Sequence, residues 1–348
     1  MDEYIQLLKS LISIPSFSKN EQDAASLIRQ FLDHYKVTYS FRKNNTWARN
    51  LYWKDNLPVI LLDSHIDTVK PASGYTRDPF SADIEKGVLY GLGSNDAGGP
   101  LVTLLAVFMH FYQQNDLPFN LIYAASAEEE ISGTDGLASI LEEIGPFNLA
   151  IVGEPTQMKM AIAEKGLMVL DCTAYGKSGH AAREEGENAI YKAMADIERL
   201  RNFRFDHTSA ILGTVKLSVT MIHAGTQHNV IPDQCSFVVD VRTNEYYPNQ
   251  DALKLIDELL ESQVHARSLR LNSSAIAVTH PIVQRAIKLG ISYYGSPTTS
   301  DQAVIPYPSV KIGPGDSARS HTADEYILIS EIEEGFRIYI DLITGLVL

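Results

Sequence analysis

Four short apolar runs in the chain, 58–63, 119–125, 149–152 and 309–312, each stop abruptly at polar or charged residues. Continuous rather than alternating apolarity marks a strand buried on both faces, as in a parallel sheet covered by helices. Residues 100–113 and 138–144 have helical spacing. So do 2–13 and 21–35 ahead of the first strand, where Tyr4, Ile5, Leu8, Leu11 and Ile12 form one stripe and Ala24, Leu27, Ile28 and Phe31 another. Ser18 is positioned to cap the second of these helices. The β, α, β, α, β alternation predicts an α/β fold, a mostly parallel sheet between helices.

From about residue 165 the pattern changes. Residues 167–175 and 214–222 alternate like half-exposed strands, 189–200 is an amphipathic helix, 235–241 a strand, 251–261 a helix and 269–271 a short strand. The order β, α, β, β, α, β is that of a ferredoxin-like α+β unit. The α/β pattern resumes with a helix over 281–294, the strand at 309–312 and a final helix over 330–343. We therefore expect a catalytic domain built from 1–165 and 275–348, interrupted by an inserted domain at 166–274. A chain of 348 residues has room for two such units.

Lysine and arginine number 29 against 43 aspartate and glutamate, a net charge of −14 that opposes binding to phosphate backbones and anionic lipid. No basic patch offsets it, so neither nucleic acid nor a membrane is an expected partner. Met1-Asp2-Glu3-Tyr4 lacks the basic-then-apolar pattern of a signal peptide, and no apolar run approaches the roughly 20 residues that span a bilayer. A cytoplasmic location is the expectation. Cys172 and Cys235 are the only cysteines and read as small buried thiols.

The residues that end the apolar runs carry the chemistry. Ser64-His65-Ile66-Asp67 follows 58–63, and strand alternation puts His65 and Asp67 on one side, where the carboxylate can orient the imidazole. Gly93-Ser94-Asn95-Asp96-Ala97-Gly98-Gly99 ends where a helix begins. Its spacing is not GxGxxG, and an aspartate aimed at the pocket would repel phosphate, so Asp96 reads as a metal ligand. Glu128-Glu129-Glu130 follows 119–125, Gly153-Glu154-Pro155-Thr156 follows 149–152, and a Gly/Pro loop carrying His321 follows 309–312. A merely solvated acidic turn does not explain carboxylates set directly after a buried strand. Five separate strand ends thus offer His, Asp, Glu, Glu and His. Carboxylates and imidazoles without a thiolate suit a two-metal hydrolytic centre, with Zn²⁺ as the first choice. If Asp96 bridges two dications while Glu130 and Glu154 bind one each, three of four positive charges are offset and one hydroxide neutralises the last. A bound dication lowers the pKa of water to about 7. Glu129, not needed as a ligand, is then free to act as general acid/base.

With Gly179-His180-Ala181 and Ser320-His321-Thr322 added, these motifs resemble, in order and over nearly the whole chain, the dizinc aminoacylase, carboxypeptidase and deacylase family that includes acetylornithine deacetylase and succinyl-diaminopimelate desuccinylase. The resemblance implies a zinc-exopeptidase-like catalytic domain with an inserted ferredoxin-like lid or dimerisation domain. It implies two Zn²⁺ per chain, or Co²⁺, with His65 and Glu154 holding one ion, Glu130 and His321 the other, and Asp96 bridging. Asp67 would stand behind His65, Glu129 would be the acid/base, and the peptide after Asp96 would be cis. Glu128 departs from the family, which usually has Asp there.

In the inserted unit, His180 matches a histidine that reaches a neighbouring subunit's site to stabilise the tetrahedral oxyanion. Asn229 matches a substrate-binding residue, and Arg242 one that grips the substrate carboxylate. A homodimer through 166–274 is implied. The implied reaction is removal of the N-acyl group from a small acylated amino acid. Thr299-Ser300-Asp301-Gln302 and the segment 313–325 are most similar to the acetylornithine deacetylase branch, which puts acetylornithine, and arginine biosynthesis, first. N-acetyl- or N-succinyl-citrulline, succinyl-diaminopimelate, and the peptides of a dipeptidase or carboxypeptidase would use the same metal ligands. A non-catalytic binding protein on this fold would be expected to have lost a ligand or the base, and none of these positions is missing.

Overall fold

The four apolar runs form the strands Val59–His65, Asn120–Ser126, Leu149–Val152 and Ser309–Lys311, in which every residue is buried. In the computed structural model, which describes residues 1–183 and 185–348, they lie side by side and parallel. Val59–His65 sits between Asn120–Ser126 and Leu149–Val152, and Ser309–Lys311 follows on the far side of Leu149–Val152. Parallel neighbours bring their C-terminal ends, and whatever follows them, to one edge of the sheet. Antiparallel strands flank this core. The hairpin Tyr39–Arg42 and Asn45–Arg49 joins beside Asn120–Ser126, and Met160–Glu164 meets Ser309–Lys311 with Ala161 opposite Lys311.

Both faces of the parallel core are covered. The helix Gly99–Tyr112 is buried everywhere except Met109 and His110, because it is apolar all round and lies between the sheet and the helices Asp2–Ile12 and Ile329–Ile343. Tyr123 faces it, its ring 5.9 Å from that of Phe108. On the opposite face Leu61, Ile122, Ala124, Ala150 and Val152 pack with Trp47, Leu137, Ile140 and Phe147. Among the described residues no helix is long and apolar enough to cross a membrane.

Contacts divide the chain into two units: Met1–Ile162 with Ile276–Tyr294 and Ser300–Leu348, and Ala163–Ala275 with Gly295–Thr299. The second unit holds an antiparallel sheet in the order Lys216–Ala224, Gln234–Arg242, Met168–Tyr175, Gln263–Ala266. Burial alternates along Met168–Tyr175 and Gln234–Arg242, and the inward residues pack with the helices Ala189–Asn202 and Asn249–Leu259 into one core. Cys172 and Cys235 lie free in that core, and burial pushes both thiols up, Cys172 to about 12.

Four local expectations give way. The helix expected over 281–294 spans only Pro281–Lys288, because Gly290 turns left-handed at φ +77 and the chain continues as the strand Tyr293–Ser296. The fourth strand of the inserted unit is Gln263–Ala266, not 269–271. The leucines that suggested 269–271 are core-packing side chains, and the carbonyls of Leu269 and Leu271 accept from Asn249 Nδ2. Residues 295–299 belong with the second unit although 275–348 was expected to return wholly to the first. Ser18 caps nothing: the helix Gln22–His34 has no side-chain cap, and the Ser18 hydroxyl donates instead to Asp67 at 2.7 Å.

Close backbone approach also shapes the sheet edge. A Cβ at Gly313 would lie 2.5 Å from the Glu154 carbonyl oxygen and 3.1 Å from its nitrogen, neither of which can rotate away. Gly313→Ala is therefore expected to destabilise the folded chain by about 1–3 kcal/mol. Thermal unfolding checks this, and an unchanged midpoint would show that the two strand-end loops are not held in contact.

Candidate metal centre

His65 closes its strand with its side chain buried. Its Nδ1 lies 2.9 Å from the main-chain carbonyl of Asp67, which can only accept, so Nδ1 carries a proton and Nε2 is the nitrogen turned to the cleft. Nε2 lies 3.3 Å from Asp96 Oδ1, 3.9 Å from Glu154 Oε1 and 4.0 Å from Glu129 Oε2. His321, from the loop after Ser309–Lys311, puts its Nε2 3.0 Å from Glu130 Oε2 and 3.6 Å from Asp96 Oδ2. The two oxygens of Asp96 thus face two different imidazoles, each with its own glutamate nearby. Asp96 does not come from the main sheet. It follows Val88–Tyr90, the middle strand of a separate three-stranded sheet, and stands at a cis peptide to Ala97 where Gly99–Tyr112 is about to begin.

The expected role of Asp67 changes in detail. Its carboxylate is 3.5 Å from His65 Nδ1, farther than its own carbonyl, and is occupied elsewhere. It accepts the main-chain N–H groups of Glu129 at 3.0 Å and Glu130 at 3.1 Å, and the Ser18 hydroxyl. One aspartate therefore orients the imidazole through its backbone and holds the acidic turn through its side chain. Ser18 carries no local signal for this role, since its partner lies 49 residues away.

His65, Asp96 and Glu130 offer ligand atoms all within 4.8 Å of one another, as do His65, Glu129 and Glu154. Glu129 is thus near enough to share a cation, and proximity alone does not separate a ligand from a base. His180, Asn229 and Arg242 lie in the second unit. His180 and Asn229 are neighbours on an exposed two-stranded ribbon, with His180 opposite Val230 and the Ala181 N–H donating to the Asn229 carbonyl at 3.0 Å. Arg242 ends its strand with its guanidinium forked onto Asp240, Nε to Oδ1 at 2.9 Å and Nη2 to Oδ2 at 3.1 Å.

Electrostatically, the protein atoms alone leave the cleft short of positive charge. Burial, with Glu154, Asp301 and Glu130 nearby, pushes Glu129 well up despite His65. Burial likewise takes Glu154 to about 8. The hydrogen bond that His321 donates to the Glu130 carboxylate raises the imidazole to about 9. Burial works against a charged His65, yet Asp67 and Asp96 lift it. For Asp96 burial is outweighed by His65, Ser320 and His321, and its pKa falls. A cleft of carboxylate oxygens and imidazole nitrogens that retains protons in this way fits divalent cations, which would supply the missing charge. Without them the sign is fixed: unfolded, Glu154 would release its proton near 4.5 and His321 near 6.5, while the folded chain holds both to about 8 and 9. The folded state binds more protons across that window, so stability falls as pH rises. The chelator-treated protein is expected to lose thermal midpoint steadily between about pH 5 and pH 9, and added zinc to flatten the slope. A midpoint that rises over this range would contradict the assignment.

The peptidase family M20/M25/M40 matches residues 61–345. A succinyl-diaminopimelate desuccinylase from Wolbachia sp. subsp. Brugia malayi is 25% identical, aligned over 98% of this chain and 92% of its own length. Among solved structures, an M20 family metallo-carboxypeptidase from Sulfolobus solfataricus superposes with a TM-score of 0.77 at 17% identity, covering 99% of each chain. A Bacillus subtilis protein described as a dinuclear metal binding peptidase from the M20 family does so with a TM-score of 0.74 at 17% identity, over 98% of this chain and 96% of its own. The structural likenesses establish the α/β fold with its inserted unit, and the family match establishes kinship over most of the chain. The chain belongs to peptidase family M20/M25/M40, metal-dependent hydrolases that act on amide bonds.

Proposed function

We propose that the protein removes the N-acyl group from an acylated amino acid, releasing a carboxylate and a free amine. One observation carries the reading: Asp96 presents Oδ1 to His65 at 3.3 Å and Oδ2 to His321 at 3.6 Å, with Glu154 and Glu130 beside the respective imidazoles. That arrangement suits two zinc ions sharing Asp96, one on His65 and Glu154 and one on His321 and Glu130, and the same donors accept Co²⁺. When bound, such ions supply Lewis acidity toward the amide carbonyl and acidify the attacking water. Glu129 takes the water's proton and passes it to the departing nitrogen, a double task suited to a carboxyl raised above its ordinary value. Arg242 binds the substrate carboxylate. Asp240 engages only two of its five N–H groups, leaving donors to spare. Asn229 supports substrate, and His180 stabilises the oxyanion of the neighbouring subunit.

That last role requires a homodimer through 166–274. The strand Lys216–Ala224 is an edge of its sheet and exposes Met221 and Ile222 at 50% and 49%, while the adjacent helix exposes Tyr191 at 70% and Met194 at 57%. A long apolar edge strand is a pairing template.

Acetylornithine is the substrate we put first, on the segments 299–302 and 313–325. The name of the Wolbachia relative favours a second reading, succinyl-diaminopimelate. A panel of acetyl- and succinyl-ornithine, -citrulline, -lysine and -diaminopimelate, with dipeptides, tests both. Acetylornithine is expected to turn over fastest; preference for succinyl-diaminopimelate installs the second reading, and inertness toward every amide ends the proposal. Glu129→Gln is expected to lower kcat by about 10²–10⁴-fold with two metals retained per chain, whereas loss of metal would make Glu129 a ligand. Mixed subunits of Glu129→Gln and His180→Ala are expected to regain partial activity. Inert heterodimers would remove the cross-subunit role of His180.

A further inference from the structure

We infer that Glu325 is a positioning residue that fixes Asp96 between the two imidazoles. It lies four positions after His321 and is almost completely buried. Its carboxylate accepts three main-chain N–H groups of one loop: Gly93 on Oε2 at 3.1 Å, and Asn95 and Asp96 on Oε1 at 2.9 Å each. Neighbouring amides that converge on an anion form a concave nest. Here the anion is a side chain of the same protein, at least 229 residues away in sequence. The loop belongs to no strand at this point, so these three amides have no ladder to satisfy them, and buried N–H groups left unpaired are costly. A carboxylate buried beside Asp96 is equally unfavourable unless donors surround it. Each solves the other's problem.

The surrounding bonds give the clamp its direction. The Glu325 carbonyl accepts the Gly91 N–H at 2.9 Å, so side chain and backbone of one residue grip both ends of the turn before Asp96. At the other end of the His321 segment, Asn95 exchanges two bonds with the backbone of Asp316, Oδ1 with its N–H at 2.9 Å and Nδ2 with its carbonyl at 3.0 Å. Asp324 accepts from the Thr76 N–H and hydroxyl and from the Arg77 N–H, anchoring the segment itself. The loop carrying Asp96 and the segment carrying His321 are thus tied on both sides of the place where Asp96 Oδ2 faces the His321 ring. A glutamine at 325 offers one oxygen in place of two, so at least one of the three amides would meet an NH₂ group instead of an acceptor.

The purpose of the clamp rests on the dimetal reading above; the clamp itself is read from protein atoms alone. The test compares wild type with Glu325→Gln and Glu325→Ala, and should the alanine variant fail to fold, the isosteric glutamine variant carries the comparison. In the metal-free chain, amide hydrogen exchange over 91–98 is expected to accelerate on the order of tenfold or more in Glu325→Gln, with exchange in 59–65 unchanged. Zinc affinity, measured by competition with a chromophoric chelator, is expected to fall by about tenfold or more, and kcat to fall further than KM rises. Unchanged exchange over 91–98 overturns the clamp, and faster exchange with wild-type zinc affinity overturns its link to Asp96. A wild-type chain that binds no zinc overturns the metal reading, and with it the purpose given to Glu325, while the exchange result judges the clamp by itself.

Discussion

Asp96 has to be held between two imidazoles against the repulsion of three glutamates, and the remainder of the structure is organised around that requirement. Like charges a few ångströms apart, with water partly excluded, repel by on the order of 4 kcal/mol per pair at the effective dielectric of a protein surface. Loose loops would relax away from such a cluster. The protein instead places the carboxylates at the ends of elements whose own packing fixes them, and occupies neighbouring backbone donors with further carboxylates.

The parallel strands supply most of that rigidity. Every residue of the four central strands is buried, so their ends move only if the core moves. Gly99–Tyr112, buried on nearly all sides, fixes the sheet on one face and begins just after the loop that carries Asp96. The loops beyond the strand ends are tied by hydrogen bonds to carboxylates rather than by regular structure. Asp67 holds the turn of Glu129 and Glu130, and Glu325 holds the turn of Asp96. Sites with supported ligands of this kind keep their geometry without the ion, which lowers the ordering that binding must impose.

Much of the fold was legible because its strands are of two unlike kinds. Leu61 and Leu62, or Ile122 and Tyr123, face opposite covered sides, which leaves a continuous apolar run, whereas Met168–Tyr175 keeps one wet face and alternates. His65, Glu129, Glu130 and Glu154 stood out for the same reason, as polar ligand types close behind apolar runs, whereas Asp96 precedes a helix and His321 lies on a Gly/Pro loop. What escaped the sequence is non-local or depends on a single residue. The hairpin at 39–49 mixes Arg, Ser, Asn and Thr with its apolar residues and has no clean period. Gly290 could have ended the helix after 288, but helical periodicity runs on past it. Leu269 and Leu271 carry a strand's composition without a strand's ladder, because packing rather than pairing buries them. Ser18 and Glu325 act through bonds to distant groups, and no local pattern encodes a partner 49 or 229 residues away, while the Asp67 carbonyl that meets His65 is a main-chain atom common to every residue type.

The central claim is that Asp96 is shared by two cations. Zinc-edge anomalous diffraction from crystals grown with zinc tests it most directly. Two peaks about 3.5–4 Å apart are expected on either side of the Asp96 carboxylate, one against His65 and Glu154 and the other against His321 and Glu130. A single peak, or two peaks of which neither touches Asp96, would contradict it.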